Sequence, residues 1–355
     1  MDPLQLELNQ MADAGLPGAF VYIEDAHGTS QFYTAGVADL ATQRRMTPES
    51  HYRVGSTTKT FTAVVLLQLV AQGKLALSDT LHTWLPDLRV PNAESLTIEH
   101  LLRMRSGLFD FEDDPSLLGS LEAHLMPWSL SDAVFLGIKH PALFPPGAKF
   151  SYCNTNFCLL EMVIERLTGH SLAEELARRI FAPLDMEMST YPEASDLSLP
   201  APYIRGYERT GDGWRECSHV FFGRGDGALI STAVDVARFF RALLVERTLL
   251  PAPLLKQMMH ILADDPPAEM AYGLGLIADP LACGAVWGHS GGGFGYRHLP
   301  FLHLESGRFA VFMLNGTYGF RAATDASSTQ PPGFTPEMRS LAYSGGTASS
   351  YNPPR

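Results

Sequence analysis

Gly55-Ser56-Thr57-Thr58-Lys59-Thr60-Phe61-Thr62-Ala63-Val64-Val65-Leu66-Leu67-Gln68-Leu69-Val70 opens on small hydroxyl residues and runs into an almost unbroken apolar stretch. That pattern predicts a helix over about Thr57–Gln72, buried on nearly all sides, with Gly73 where a C′ glycine ends a helix. Ser56 and Lys59 stand at i and i+3, so they share a face with Cβ atoms about 5–6 Å apart. A serine hydroxyl is a poor nucleophile until a base takes its proton. A lysine one turn away can be that base if burial depresses its pKa until it is neutral. The helix N-terminus adds backbone N–H groups and a positive dipole end where an oxyanion would form. Taken alone, the same residues also suit a capping sequence with a solvated lysine.

Around this stretch the composition is that of a globular protein. The chain has 355 residues, 46% of them hydrophobic, enough to bury a full core in one large domain or two interlocked lobes. The net charge of −12 and the lack of a long lysine or arginine run speak against a nucleic-acid partner. Cys153, Cys158, Cys217 and Cys283 show no CxxC spacing and read as unpaired thiols. The opening MDPLQLELNQ has no basic and apolar signal pattern, so a cytoplasmic chain is expected, though one trimmed of a signal would read the same. The most apolar run, Ala63–Val70, is too short to span a membrane.

Outward from the helix, Ala19–Glu24 and Ser30–Gly36 read as strands joined at Ala26-His27-Gly28. Thr97, Ser129 and Ser171 stand at helix starts, and Asn156–Leu167 has helical spacing up to Gly169. Helices are expected at Val234–Leu244 and Leu254–His260, then strands at Ala271–Ile277, Ala285–Gly288 and Arg308–Asn315. Strands near both chain ends with helices between them predict an α/β (α+β) fold. One antiparallel sheet would be built from both ends, flanked by helices, with a mostly helical lobe inserted. The sheet lobe takes residues 1–60 and 228–316 and the helical lobe 61–227. Residues 317–355, rich in Ser, Thr, Pro and Gly, read as an irregular tail in which only Pro336–Tyr343 could form a short helix.

Two further motifs bear on the chemistry. Ser151-Tyr152-Cys153-Asn154 follows the rigid turn Pro145-Pro146-Gly147 and precedes a helix. A tyrosine beside a lysine can shuttle protons, and an asparagine two residues on can bond both the lysine and a substrate amide. Trp287-Gly288-His289-Ser290-Gly291-Gly292-Gly293 combines a histidine with small residues that let a substrate backbone approach. His289 could polarise Tyr152 or protonate a leaving group near neutral pH. Each motif also has a plain reading, a packed loop tyrosine and a glycine-rich hairpin.

In order and context, SxxK, YxN and HxG make the chain resemble the serine β-lactamase and penicillin-binding-protein superfamily, nearest its DD-carboxypeptidase, class C β-lactamase and esterase branch. Tyr52–Lys59, Leu66–Leu75, Ser106-Gly107-Leu108, Pro146-Gly147, Tyr152–Asn156 and Tyr272-Gly273-Leu274-Gly275 carry the likeness over roughly residues 5–316. The resemblance implies a β-lactamase/transpeptidase-like fold and a metal-independent serine hydrolase without cofactor. Ser56 would be acylated, Lys59 and Tyr152 would handle the proton, and Asn154 would position Lys59 and substrate. His289 would take the basic place of the third motif, and the N–H groups of Ser56 and Gly292 would form the oxyanion hole. A small-molecule or short-peptide acyl substrate is implied, an ester or a D-amino-acid amide.

The chain departs from carboxypeptidases where Ile277-Ala278-Asp279 replaces their usual arginine and Gly292 replaces a hydroxyl. Arg224 and Arg297 are candidate substitutes for binding an anion. Ser290, Gly291 and Phe222 are candidate substrate contacts, and Phe109, Phe111, Phe221 and Phe294 candidate walls for an apolar acyl group, or core. The same acyl-enzyme could serve an acyltransferase or peptide cyclase, and a catalytically silent binding module is the reading from another class. Gly288-His289-Ser290-Gly291-Gly292 also matches the G-x-S-x-G nucleophile elbow, but no helix follows Ser290 as that elbow requires. No HExxH or comparable metal-ligand cluster is present.

Overall fold

The computed structural model describes residues 2–211, 213–262, 271–318 and 333–344. Its main sheet is antiparallel and joins both parts of the chain: Gly18–Glu24 pairs with Ser30–Gly36 on one side and with Arg308–Leu314 on the other. The order continues through Tyr296–His303, Gly284–Gly288, Ile277–Leu281 and Ala271–Tyr272, and the short strand Gly291–Gly293 pairs with Tyr296–His303. The expected sheet from both chain ends is therefore present.

The helix Thr58–Ala71 is preceded by a 3₁₀ turn at Gly55–Thr57. Thr58 to Leu67 and Leu69 are all buried, so this helix meets solvent only at its last turn. Helix Thr155–Thr168 packs on it and on Leu130–Ile138 and Ile98–Leu102, while Ala233–Leu244 packs on strands Tyr296–His303 and Arg308–Leu314. Capping boxes at Thr97, Ser129 and Ser171 start three of the helices, and Gly169 ends Thr155–Thr168 in a left-handed conformation at φ +74°. The threonines that a capping reading would spend on helix initiation instead tie the buried helix to its surroundings. Thr57 donates to the His289 carbonyl (2.7 Å), Thr60 to Gly275 (2.8 Å) and Thr62 to Gly225 (2.8 Å).

One expectation changes and two elements are filled in. Ala271–Ile277 is not one strand: Tyr272 pairs with Ile277 across a hairpin whose Gly275 adopts φ +71° against the Lys59 carbonyl and Ala63. A side chain at Gly273 would meet the Met258 carbonyl at 2.0 Å, so the glycines serve close approach, not strand pleat. Tyr296–His303, which the sequence reading passed over, is a central strand. Within residues 317–355, Pro336–Tyr343 forms the short helix the sequence allows there and rests on strand Arg308–Leu314. Tyr343 donates to the Phe301 carbonyl (3.2 Å) and Arg308 to that of Ala342 (2.9 Å). The rest of that segment, 319–332 and 345–355, lies outside the described residues.

Candidate active site

Ser56 lies half-buried at the turn that opens the central helix, on the floor of a cleft of about 550 Å³. Gly55 and Gly291 bring the strand Gly291–Gly293 against this turn. A Cβ on Gly55 would sit 2.6 Å from the Gly292 nitrogen, and one on Gly291 1.8 Å from the Val54 carbonyl oxygen. Two backbones this close leave the serine turn and the third motif as one wall.

Lys59 is fully buried beneath Ser56. Its Nζ donates to Ser56 Oγ (3.0 Å), Asn154 Oδ1 (2.7 Å) and the Asp226 carbonyl (2.8 Å). The Asp226 carboxylate is 4.0 Å away, and the Tyr152 ring centre 5.0 Å. Burial is the largest single influence on Lys59 and pulls its pKa down. The oxygens of Tyr152, Asp226 and Asp110 together outweigh it, and the pKa stands above the ordinary lysine value. The burial that could make the lysine neutral is thus opposed by the acceptors around it, and a protonated Lys59 has no lone pair to give Ser56.

Asn154 is fixed between Lys59 and Asp110, whose Oδ2 accepts from its Nδ2 at 3.0 Å. His289 is also not as expected. Its Nδ1 donates to the Ser290 carbonyl (2.7 Å), which leaves Nε2 to accept from the Tyr272 hydroxyl (2.9 Å). Burial, and then the nearby Lys59 charge, lowers its pKa to about 3. A neutral imidazole with both nitrogens engaged cannot protonate a leaving group near neutral pH, and its ring centre stands 6.3 Å from that of Tyr152.

Of the other candidates, Tyr152, Phe222, Ser290, Gly291 and Gly292 line the cleft, as do Phe221, Phe294 and Arg297. Arg297 is exposed and lies beside Gly292, its register partner. Phe109 stands apart from the lining, its ring 4.0 Å from that of His140, and Phe111 is core. Arg224 is turned away as well. It pairs with Glu161 (3.7 Å), donates to the Pro192 carbonyl (3.1 Å) and lies over the Tyr191 ring, so it is no anion clamp for this cleft.

Sequence reasoning passed over Asp226, Glu112 and His124, all of which line the cleft. Glu112 is buried, with His124 Nε2 3.3 Å from its carboxylate, and the His124 ring packs edge-on to Phe294 at 4.9 Å. The acidic run Asp110-Phe111-Glu112-Asp113-Asp114 and the alternation Gly223-Arg224-Gly225-Asp226-Gly227 were the available signals. Among the described residues no cluster of metal-ligand type occurs, and no helix is long and apolar enough to cross a membrane.

An antiparallel sheet thus stands beside a buried helix whose head gathers a serine, a lysine and a tyrosine, the residue types a serine acyl-enzyme would need. The chain belongs to the β-lactamase family, whose model matches residues 5–330. It is 30% identical over 266 residues to a D-aminopeptidase of Brucella canis, covering 74% of this chain and 49% of that protein. The chain thus spans about half the length of the curated relatives it matches. A D-stereospecific amidohydrolase from Streptomyces sp. superposes with TM-score 0.80 at 33% identity, over 88% of this chain and 93% of the other. The D-amino acid amidase from Ochrobactrum anthropi SV3, complexed with D-phenylalanine, gives 0.79 at 25% identity, over 90% and 92%.

Proposed function

We propose that this protein hydrolyses the amide bond of a D-amino acid amide, or of an N-terminal D-residue in a short peptide, through an acyl-enzyme on Ser56. The observation that carries the reading is Glu112, a buried carboxylate that lines the cleft near Phe221, Phe222, Phe294 and Leu299, with His124 Nε2 at 3.3 Å. A carboxylate among aromatic and aliphatic side chains favours a cationic group with a hydrophobic neighbour, which is what a free α-ammonium beside an apolar side chain provides. The D hand is supported by the named activities of the three relatives.

In this mechanism the substrate ammonium pairs with Glu112 and its carbonyl oxygen meets the N–H groups of Ser56 and Gly292. In this scheme Tyr152 starts as a phenolate beside the Lys59 ammonium and accepts the Ser56 proton, while Lys59 keeps its charge throughout. Oγ bonds to the carbonyl carbon, the C–N bond breaks, and the amine departs with the proton from Tyr152. Water then enters by the reverse route, and the D-amino acid leaves as its carboxylate.

The test compares D-phenylalanine amide, L-phenylalanine amide and N-acetyl-D-phenylalanine amide. The D-amide should be cleaved fastest, and acetylation should cut kcat/KM at least tenfold. Glu112→Gln should lower kcat/KM for the free amine tenfold to a hundredfold. A fluorophosphonate should label Ser56 and not Ser290. Equal turnover of free and acetylated amides, or label that persists in Ser56→Ala, would sink the reading.

A further inference from the structure

Below Lys59 lies a second, wholly buried set of polar groups that no step of the proposed reaction uses. Glu161, on helix Thr155–Thr168, accepts the Gly225 N–H through Oε2 (2.6 Å) and the Tyr191 hydroxyl through Oε1 (2.8 Å). Gly225 has no room for a side chain, because a Cβ would sit 2.7 Å from the Phe157 carbonyl oxygen and 3.0 Å from the Glu161 Cβ. The next residue, Asp226, is the one whose carbonyl holds Lys59 Nζ. Its carboxylate accepts the Arg224 N–H (2.8 Å) and the Cys158 thiol (3.3 Å). The loop from Arg224 to Asp226 is therefore held by Glu161 on one side and, on the other, by the lysine and by Thr62, which donates to the Gly225 carbonyl (2.8 Å).

We propose that Glu161 is a positioning residue whose carboxylate, by holding the Gly225 N–H, fixes the Asp226 carbonyl that orients the Lys59 ammonium, so that protonating Glu161 switches the site off. The inference rests on Ser56 as nucleophile but not on the identity of the substrate. A protonated carboxyl gains an O–H that needs an acceptor of its own, which the Tyr191 hydroxyl can be only by giving up its donation to Glu161, and the pairing with Arg224 (3.7 Å) loses its charge. The Gly225 N–H is then held by a neutral oxygen, a weaker acceptor than the carboxylate. If Gly225 lets go, the peptide carrying the Asp226 carbonyl can turn and Lys59 loses one of its three acceptors.

The working range fits. Burial pushes the Glu161 pKa up to about 7, against the lowering influence of Arg224, Tyr191 and Gly225, while Glu165 on the same helix raises it. The remaining groups that face it are Cys158 on its own helix, Asp226 on the loop and, beyond Asp226, Lys59.

The experiment follows the rate of Ser56 labelling by a neutral fluorophosphonate from pH 5.5 to 9, with kcat for D-phenylalanine amide measured alongside. Wild type should lose labelling on the acid side with a midpoint near 7. Glu161→Gln should label about tenfold more slowly and without that acid limb, and Glu161→Asp should restore a limb. Tyr191→Phe, which keeps the carboxyl but removes a bond to its charged form, should move the midpoint upward by several tenths of a pH unit. A folded Glu161→Gln with the wild-type rate and limb overturns the proposal, and so does a Tyr191→Phe profile that stays in place. If the D-amide is not turned over but the labelling profile behaves as described, the substrate reading fails and this one stands.

Discussion

At Lys59 burial and partnership compete, and partnership wins because Tyr152, Asp226 and Asp110 surround one nitrogen. Lys59→Met removes that charge and should cost at least about a thousandfold in kcat, read with D-phenylalanine amide, whereas a lysine acting only in packing would leave kcat within tenfold. For Arg297, exposed beside Gly292, we propose a narrower role with the carboxylate of a leaving residue. Arg297→Gln should lower kcat/KM for a D-phenylalanyl dipeptide roughly tenfold and leave the amide of D-phenylalanine unchanged; equal effects on both substrates would remove the carboxylate from the account. The buried histidine His298, like His289, is held at a pKa of about 3 by desolvation. Between about 3 and 6.5 the unfolded chain binds its proton and the folded one does not, so its contribution destabilises progressively as pH falls below 6.5. Glu161 acts in the opposite sense between its ordinary 4.5 and about 7, so the comparison must isolate the histidine. Urea unfolding of wild type against His298→Gln should show their stability difference moving by about 1.4 kcal/mol per pH unit below 6.5; a constant difference would mean that His298 is protonated in the fold.

Among the elements, the strand Gly291–Gly293 has the least freedom. Gly291→Ala would drive a methyl group into the Val54 carbonyl, so Ser56 labelling should be lost while the rest of the fold survives with a lower Tm. Undiminished labelling would show that the two backbones can separate without loss of the site. Helices were legible in the sequence because their signals are local: a hydroxyl three residues ahead of its partner, a glycine at the end, apolar residues at 3.6 spacing. Tyr296–His303 was not, since Pro300 to His303 are buried without alternation, and His298, Pro300 and His303 hide its apolar character. The nucleophile and its motifs were legible by type and order. The charge state of Lys59 and the orientation of His289 were not, because they depend on Asp226 and Tyr272, which the fold brings from distant stretches. Glu112 escaped for the same reason: its acidic neighbours in sequence give no hint that it alone faces Ser56's cleft.

For the molecule as a whole, the helix Pro336–Tyr343 closes the sheet face formed by the two chain ends. Tyr343 is buried there, and Tyr343→Ala should cost about 3–5 kcal/mol in urea unfolding, the range for deleting a core aromatic ring. The sheet carries a consequence for the protein's synthesis. Strand Arg308–Leu314 stands between the earlier-made hairpin of Gly18–Glu24 and Ser30–Gly36 and the strand that supports Gly291–Gly293. Ser56 is made some 250 residues ahead of that strand, so the wall that completes its site cannot dock until they have been added. A nascent chain therefore carries its nucleophile unarmed across that interval, and reactivity arrives together with the closing of the sheet.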